Sequence, residues 1–415
     1  MRFKDYKIFA EHATPYAHKN GLRSGSLTQN SHPFIIYSGI VSDMQIVQLS
    51  TALPENEYST EKLIRKFPCE LPEAVVQNVL NLGVSKRHLI NQAYLTTEPE
   101  TLMDETELIE LCSNACRKAL HGADLRPRDV DYLVTAYDTS PFLSPGLSQL
   151  LIPQLGLDPS VRHVNAQGIA SIAFMKTLQL AEDYLAMHPK DNVLICVSGV
   201  SSYWFQNQVR GLKNVMEIGK IGSINDNKRK QMELRKWVAT MQFFLFGDGV
   251  AAAIASNKSD GLKVDEIVEV TNVEEKDYLA GYARLSFVDE PFKFGFYSHL
   301  GREIPDLGVK YTSLVLSRLF GKEAKNKTRA AKKWAVHTGS EKILHALAER
   351  HGAEKEKLRE SHEVLRENGN LSGASLPFIL DRIASTNKFS RGDTILMLGY
   401  GWGFSASAGS LEFRS

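Results

Sequence analysis

Cysteine is scarce in this chain: Cys69, Cys112, Cys116 and Cys196 are all that 415 residues contain. Four thiols at irregular spacing do not make the disulfide framework of a secreted domain, so a reducing cytoplasm is the expected compartment. Long hydrophobic runs are missing as well. The longest, 193–197 and 250–255, fall far short of the roughly 20 residues that cross a bilayer, and no membrane span is expected. The opening MRFKDYKIFAEH interleaves charge with apolar residues and lacks the uninterrupted core of a signal peptide. Charge of one sign is absent too, since 49 Lys+Arg against 48 Asp+Glu leave a formal charge of +1. Without a basic excess, nucleic acid is not an expected partner. Cys112 and Cys116 lie one helical turn apart, but no third ligand adjoins them, so no metal is expected.

What is present is the profile of a large globular protein, 43% hydrophobic and 9% aromatic. Residues 1–43 are polar and mixed and read as an N-terminal extension. From Met44 onward strand and helix patterns alternate. MQIVQLSTALPEN and DYLVTA read as strands, residues 107–120 as a helix, VLICVSGV as a buried strand, and FFLFGDGVAAAIAS as a further strand. The C-terminal part repeats the rhythm: a helix at 311–320, the strand WAVHT, helices at 341–351 and up to 384, and the strands DTILMLGY and SASAGSLEF. The expected class is α/β, built from two related halves, 44–240 and 241–415. Between them the charged stretch 203–242 reads as a surface insertion.

Three polar residues stand at junctions that lead into helices: Ser171 after QGIA, His337 at the end of WAV, and Asn370 in ENGNLSGAS. A helix cap or a satisfied surface histidine accounts for each singly. Together they occupy the places where α/β proteins converge polar groups. The GYGWGF segment (399–404) has the glycines of a dinucleotide loop but is followed by another strand instead of a helix, so it reads as a tight turn whose amides approach a ligand.

Five segments, in order, resemble the thiolase-fold condensing enzymes, in their ketosynthase III and chalcone synthase-like branch: LGVSKRHL (82–89), FGDGVAAAI (246–254), WAVHTGSEKIL, GNLSGASLPFILDRI and GYGWGF. The resemblance covers about residues 45–415. It implies a five-layered αβαβα fold of two related halves and a homodimer or a heterodimer with a related ketosynthase. It also implies acyl transfer and decarboxylative carbon–carbon bond formation on thioesters of coenzyme A or acyl carrier protein phosphopantetheine, with no tightly bound cofactor. Of the family's Cys-His-Asn site, His337 and Asn370 are present and the cysteine is not. Ungapped alignment of the following helix puts Ser171 at the nucleophile position, and a gapped one puts Ile169 there. The same resemblance sets Trp402 in place of a glycine beside Gly403, in the turn that completes the oxyanion hole, and Arg87 near the substrate entrance. The basic run KEAKNKTRAAKK (322–333), with Lys332 and Lys333, is expected to dock an acidic carrier. Three outcomes stay open: an acyltransferase working through Ser171, a non-acylating partner subunit, or a decarboxylase or hydrolase using only His337 and Asn370.

Overall fold

The computed structural model describes residues 43–90, 105–137, 144–258, 260–285 and 296–414. The expected N-terminal extension lies, but for its last residue, outside them. Stretches rich in Val, Ile, Leu and Ala become strands because such side chains fill a pleated, buried surface. In chain order these are β1 (Gln45–Ala52), β2 (Glu57–Ser59), β3 (Lys86–His88), β4 (Tyr132–Tyr137), β5 (Arg162–Gln167), β6 (Asn192–Ser198) and β7 (Val250–Ser256). Then follow β8 (Leu262–Thr271), β9 (Gly281–Leu285), β10 (Phe296–Leu300), β11 (Lys333–Val336), β12 (Thr394–Gly401) and β13 (Ser405–Phe413). Nine of them form one sheet in the order β11-β12-β13-β8-β1-β7-β6-β4-β5. One wing runs parallel through β5, β4 and β6, then antiparallel through β7 and β1. The other wing repeats that sense, parallel from β11 to β12 and antiparallel through β13 and β8. The wings meet at two residue pairs, Gln45 with Lys263 and Ile46 with Leu262.

Alternation along each strand sends neighbouring side chains to opposite faces. Val134, Ile195 and Val197 enter a central core together with Ala335 and Met397 of the other wing, whereas Leu133, Leu194 and Cys196 enter an outer one. The central core is filled by two helices, Ala173–Met187 and Ser375–Thr386. Phe174, Leu178, Ala181 and Leu185 of the first, and Leu376, Ile379, Leu380 and Ile383 of the second, are all buried in it. The helices Glu105–Gly122 and Leu147–Leu155 cover the outer face of the first wing, and Ile304–Phe320 and Glu341–His351 that of the second. Helix, sheet wing, central helices, sheet wing and helix thus follow one another, the α/β class expected.

One sequence expectation fails, the strand reading of FFLF. The stretch 203–242 holds the helices Ser202–Val209 and Ile218–Gly222 and most of Asn227–Leu245. The last starts at Asp226, whose carboxylate accepts from the Arg229 amide at 2.7 Å. Its far end buries Met241, Phe243 and Phe244 among Leu63, Phe67 and Val75. FFLF therefore closes a helix, and only Val250–Ser256 is strand. A short, wholly apolar run carries no period, so sequence alone does not separate a buried helix end from a buried strand.

Candidate functional site

Both central helices begin in the same way. A 3-10 turn, Ala170–Ile172, opens the first, and another, Ser372–Ala374, opens the second. Each turn contains a left-handed residue that is not glycine, Ala170 at φ 52° and Ser372 at φ 47°. An L-residue held there costs about 1–2 kcal/mol, so the surroundings must impose it. The two turns pack against each other and the first also against the end of β12. A Cβ on Gly373 would lie 2.7 Å from the Ala173 methyl, and one on Gly401 would lie 2.9 Å from the Ser171 amide. Two helix N-termini, each carrying partial positive charge, are thereby brought to one place. Ser171 is buried there at 8% exposure, while the side chain of Ile169 packs against the central core.

His337 arrives from the end of β11. Its amide donates to the Leu398 carbonyl at 2.9 Å, and the Tyr400 ring meets the imidazole edge to face at 5.3 Å. The Tyr400 hydroxyl donates to the His337 carbonyl at 3.2 Å and accepts from the Gly339 amide at 3.2 Å. The imidazole is 2% exposed, and its Nδ1 is enclosed without a hydrogen-bond partner. Burial, with no charge nearby to offset it, pulls the pKa down to about 3. The ring is neutral at physiological pH.

Asn370 follows the helix Arg359–Asn368 and is held against the end of another. Its amide donates to the Leu245 carbonyl at 2.9 Å and its carbonyl accepts from the Gly247 amide at 3.2 Å. The side-chain Oδ1 accepts from the Ser372 amide at 2.8 Å, which fixes which end of the carboxamide is NH2. Thr338, next to His337, donates to the Ser375 hydroxyl at 2.9 Å, and that hydroxyl accepts from the Leu371 amide at 3.0 Å. The segments bearing His337 and Asn370 are thus joined directly. Thr338, Ser375 and Tyr400 were not singled out from sequence; adjacency to His337, Asn370 and the glycine turn was the available signal.

The GYGWGF segment is a hairpin, β12 turning into β13 with Gly401 opposite Ser405. Left-handed backbone falls on Gly403, at φ 105°, so Trp402 does not have to adopt it. The Trp402 indole lies instead against Gly281, where a Cβ would meet it at 2.9 Å. Gly403→Ala is expected to cost about 1–2 kcal/mol through that backbone angle alone. A denaturation midpoint equal to that of the unaltered chain would contradict the assignment.

The three cations singled out from sequence are all partnered. Arg87 is wholly buried, donating to the Phe244 carbonyl at 2.6 Å and to Thr60 at 2.5 Å; it braces the core. Lys332 and Lys333 stand at the start of β11, the opposite end from His337. Lys332 binds Asp393 at 2.6 Å, and buried Lys333 binds Glu356 at 3.0 Å and Glu360 at 3.1 Å. Lys322, Lys325, Lys327 and Arg329 of the same basic run stay exposed. Cys112, Cys116 and Cys196 share the outer core of the first wing, on the face turned away from the central helices. Contact with Cys196, together with burial, pushes the thiols of Cys112 and Cys116 up.

Comparison with known proteins places this arrangement. The family described as chalcone and stilbene synthases, C-terminal domain, matches residues 290–410. The 3,5-dihydroxyphenylacetyl-CoA synthase of Amycolatopsis orientalis is 24% identical over 393 residues, 89% of this chain and 93% of its own. The crystal structure of 1,3,6,8-tetrahydroxynaphthalene synthase from Streptomyces coelicolor, a bacterial type III polyketide synthase, superposes with a TM-score of 0.73 at 20% identity, covering 89% of this chain and 99% of that one. A serine-for-cysteine variant of Xanthomonas campestris OleA with bound lauric acid and lauroyl-CoA gives 0.67 at 15% identity, over 90% and 100%. The chain therefore has the fold of these synthases, and residues 290–410 within it are similar to the C-terminal domain of chalcone and stilbene synthases.

Proposed function

We propose that this protein is a condensing transferase of the type III polyketide synthase kind, acting on coenzyme A thioesters as a homodimer. The observation that carries the reading is a neutral, buried His337 on a segment bonded through Thr338 and Ser375 to the one that bears Asn370, whose amide orientation is fixed. Nδ1 of His337 has no partner, and a bare acceptor is tolerated more readily than a bare donor. The proton then sits on Nε2. That N–H and the Asn370 NH2 are two donors for one thioester carbonyl oxygen. When a malonyl thioester loses CO2, the electron pair of the breaking carbon–carbon bond moves onto that oxygen. Donors already fixed in a dry site stabilise the enolate without reorganising. The enolate carbon can then attack the carbonyl of an acyl thioester, forming the carbon–carbon bond as the carbon–sulfur bond breaks and the coenzyme A thiolate leaves.

Acyl transfer through Ser171 is the further step of this proposal. Its place beside the Gly401 backbone and at a helix start supports it, since amides there suit an oxyanion. A second reading is favoured by one observation. With its pKa at about 3, His337 is far from the near-neutral value that makes an effective base. A serine hydroxyl deprotonates poorly without one. Ser171 would then take no acyl group, and decarboxylation would be the whole reaction.

Intact-mass spectrometry after incubation with acyl-CoA donors, alongside an assay of CO2 release from malonyl-CoA, tests both readings. An adduct on Ser171, lost in Ser171→Ala, supports the transferase. CO2 release that survives Ser171→Ala, with no adduct, supports the decarboxylase. Neither adduct nor CO2 release with any donor overturns both.

A further inference from the structure

Outside the site described above, one cluster of side chains among the described residues has the chemistry of a ligand set. Glu341 and His345 lie one turn apart on the helix Glu341–His351, and His362 faces them from the helix Arg359–Asn368. His345 Nε2 is 3.1 Å from Glu341 Oε1, and His362 Nδ1 is 2.9 Å from the same carboxylate. The two imidazoles are 5.2 Å apart between centroids. One donor atom from each of the three residues lies within 4.8 Å of the others.

We propose that Glu341, His345 and His362 bind one late first-row divalent cation, zinc foremost. Tetrahedral bonds of about 2.0–2.2 Å set neighbouring ligand atoms about 3.3–3.5 Å apart. The observed separations need only small side-chain adjustments to reach that. Two imidazoles and one carboxylate with an open fourth position suit zinc, nickel or copper, and exclude magnesium and calcium, which prefer all-oxygen shells. The carboxylate is prepared for the role. Glu341 occupies the first turn of a helix capped by Ser340. Its stem is confined by Gly83, at which a Cβ would meet the Glu341 Cβ at 2.8 Å. The side chains are 34%, 53% and 20% exposed for Glu341, His345 and His362, open enough for a cation to enter and keep a water.

The position gives the cation a task. The first helix begins four residues after His337, and the second ends two residues before Asn370. A cation held by both clips together the two segments that carry the proposed donors. The binding does not depend on which reaction those donors perform.

The full-length chain, stripped with chelator, is titrated with zinc in competition with a chromophoric indicator. One zinc per chain is expected, none with magnesium, and cobalt should give the visible absorption of a tetrahedral N/O site. Loss of an outer-shell partner already weakens metal sites about 10–100-fold, so loss of a ligand in His345→Gln, His362→Gln or Glu341→Gln should weaken this one at least about 100-fold. Zinc should raise the melting temperature of the unaltered chain and not that of the variants. All three positions are partly exposed, and circular dichroism of the metal-free variants checks that they fold. Zinc affinity unchanged in the three variants, or no zinc taken up by the unaltered chain, overturns the proposal.

Discussion

Replacing His337 with alanine is expected to lower CO2 release from malonyl-CoA by about 10²- to 10³-fold, the effect of removing one preorganised oxyanion donor, about 3–4 kcal/mol. Asn370→Asp is the companion variant. It keeps the Oδ1 acceptor that holds the Ser372 amide and so preserves the turn, but replaces the NH2 donor with a charge that repels an enolate. A comparable loss is expected. The pH dependence makes the assignment more specific. The buried imidazole has a pKa of about 3 against an ordinary value of 6.5, so its protonation state does not change between pH 5 and 8. The His337-dependent rate should therefore show no inflection near 6.5. Stability follows the opposite pattern. Below 6.5 the unfolded chain takes up a proton that the folded chain refuses until about 3. His337 therefore costs stability as pH falls through that window and nothing above it. Chemical denaturation at pH 7.5 and pH 5 should show a smaller loss for His337→Gln than for the unaltered chain. An activity limb at 6.5, or undiminished CO2 release in His337→Ala, would sink the donor role.

The second large effect is structural. Gly199, just beyond β6, lies against the Asn370 turn so closely that a Cβ would fall 1.8 Å from the Leu371 carbonyl oxygen. No side-chain rotation relieves a contact with backbone. Gly199→Ala must displace either the end of β6 or the turn, at a cost of about 3 kcal/mol or more, toward the upper end for overpacking. The denaturant midpoint should fall with little change in slope. Gly222→Ala is the control, because nothing lies within 4 Å of a Cβ there, and its effect should stay within about 0.5 kcal/mol. If Gly199→Ala matched this control, the close approach would be wrong.

Much of the fold was legible because its signals are local. The strands around VLICVSGV, WAVHT and DTILMLGY carry β-branched and aliphatic runs bounded by turns, and the hairpin after GYGWGF was readable from the strand that follows it. His337 and Asn370 stood out as candidates because each sits in a contiguous motif at a strand or helix end. The misreadings share a different cause. FFLF has no period to betray its helix, and Arg87 and Lys333 look like surface cations although partners far along the chain, Phe244 and Glu360, enclose them. Glu341, His345 and His362 form no recognisable motif, since the third residue joins the other two only when a second helix packs beside the first.

The sequence by itself determined most of the elements and their α/β order, because these depend on residue type and short-range spacing. Tertiary structure decided the rest. Whether Ser171 or Ile169 approaches the glycine turn depends on a left-handed Ala170 imposed by the facing helix start. Whether His337 is a base or a donor depends on desolvation, which every surrounding atom contributes to. No spacing along one chain encodes that sum.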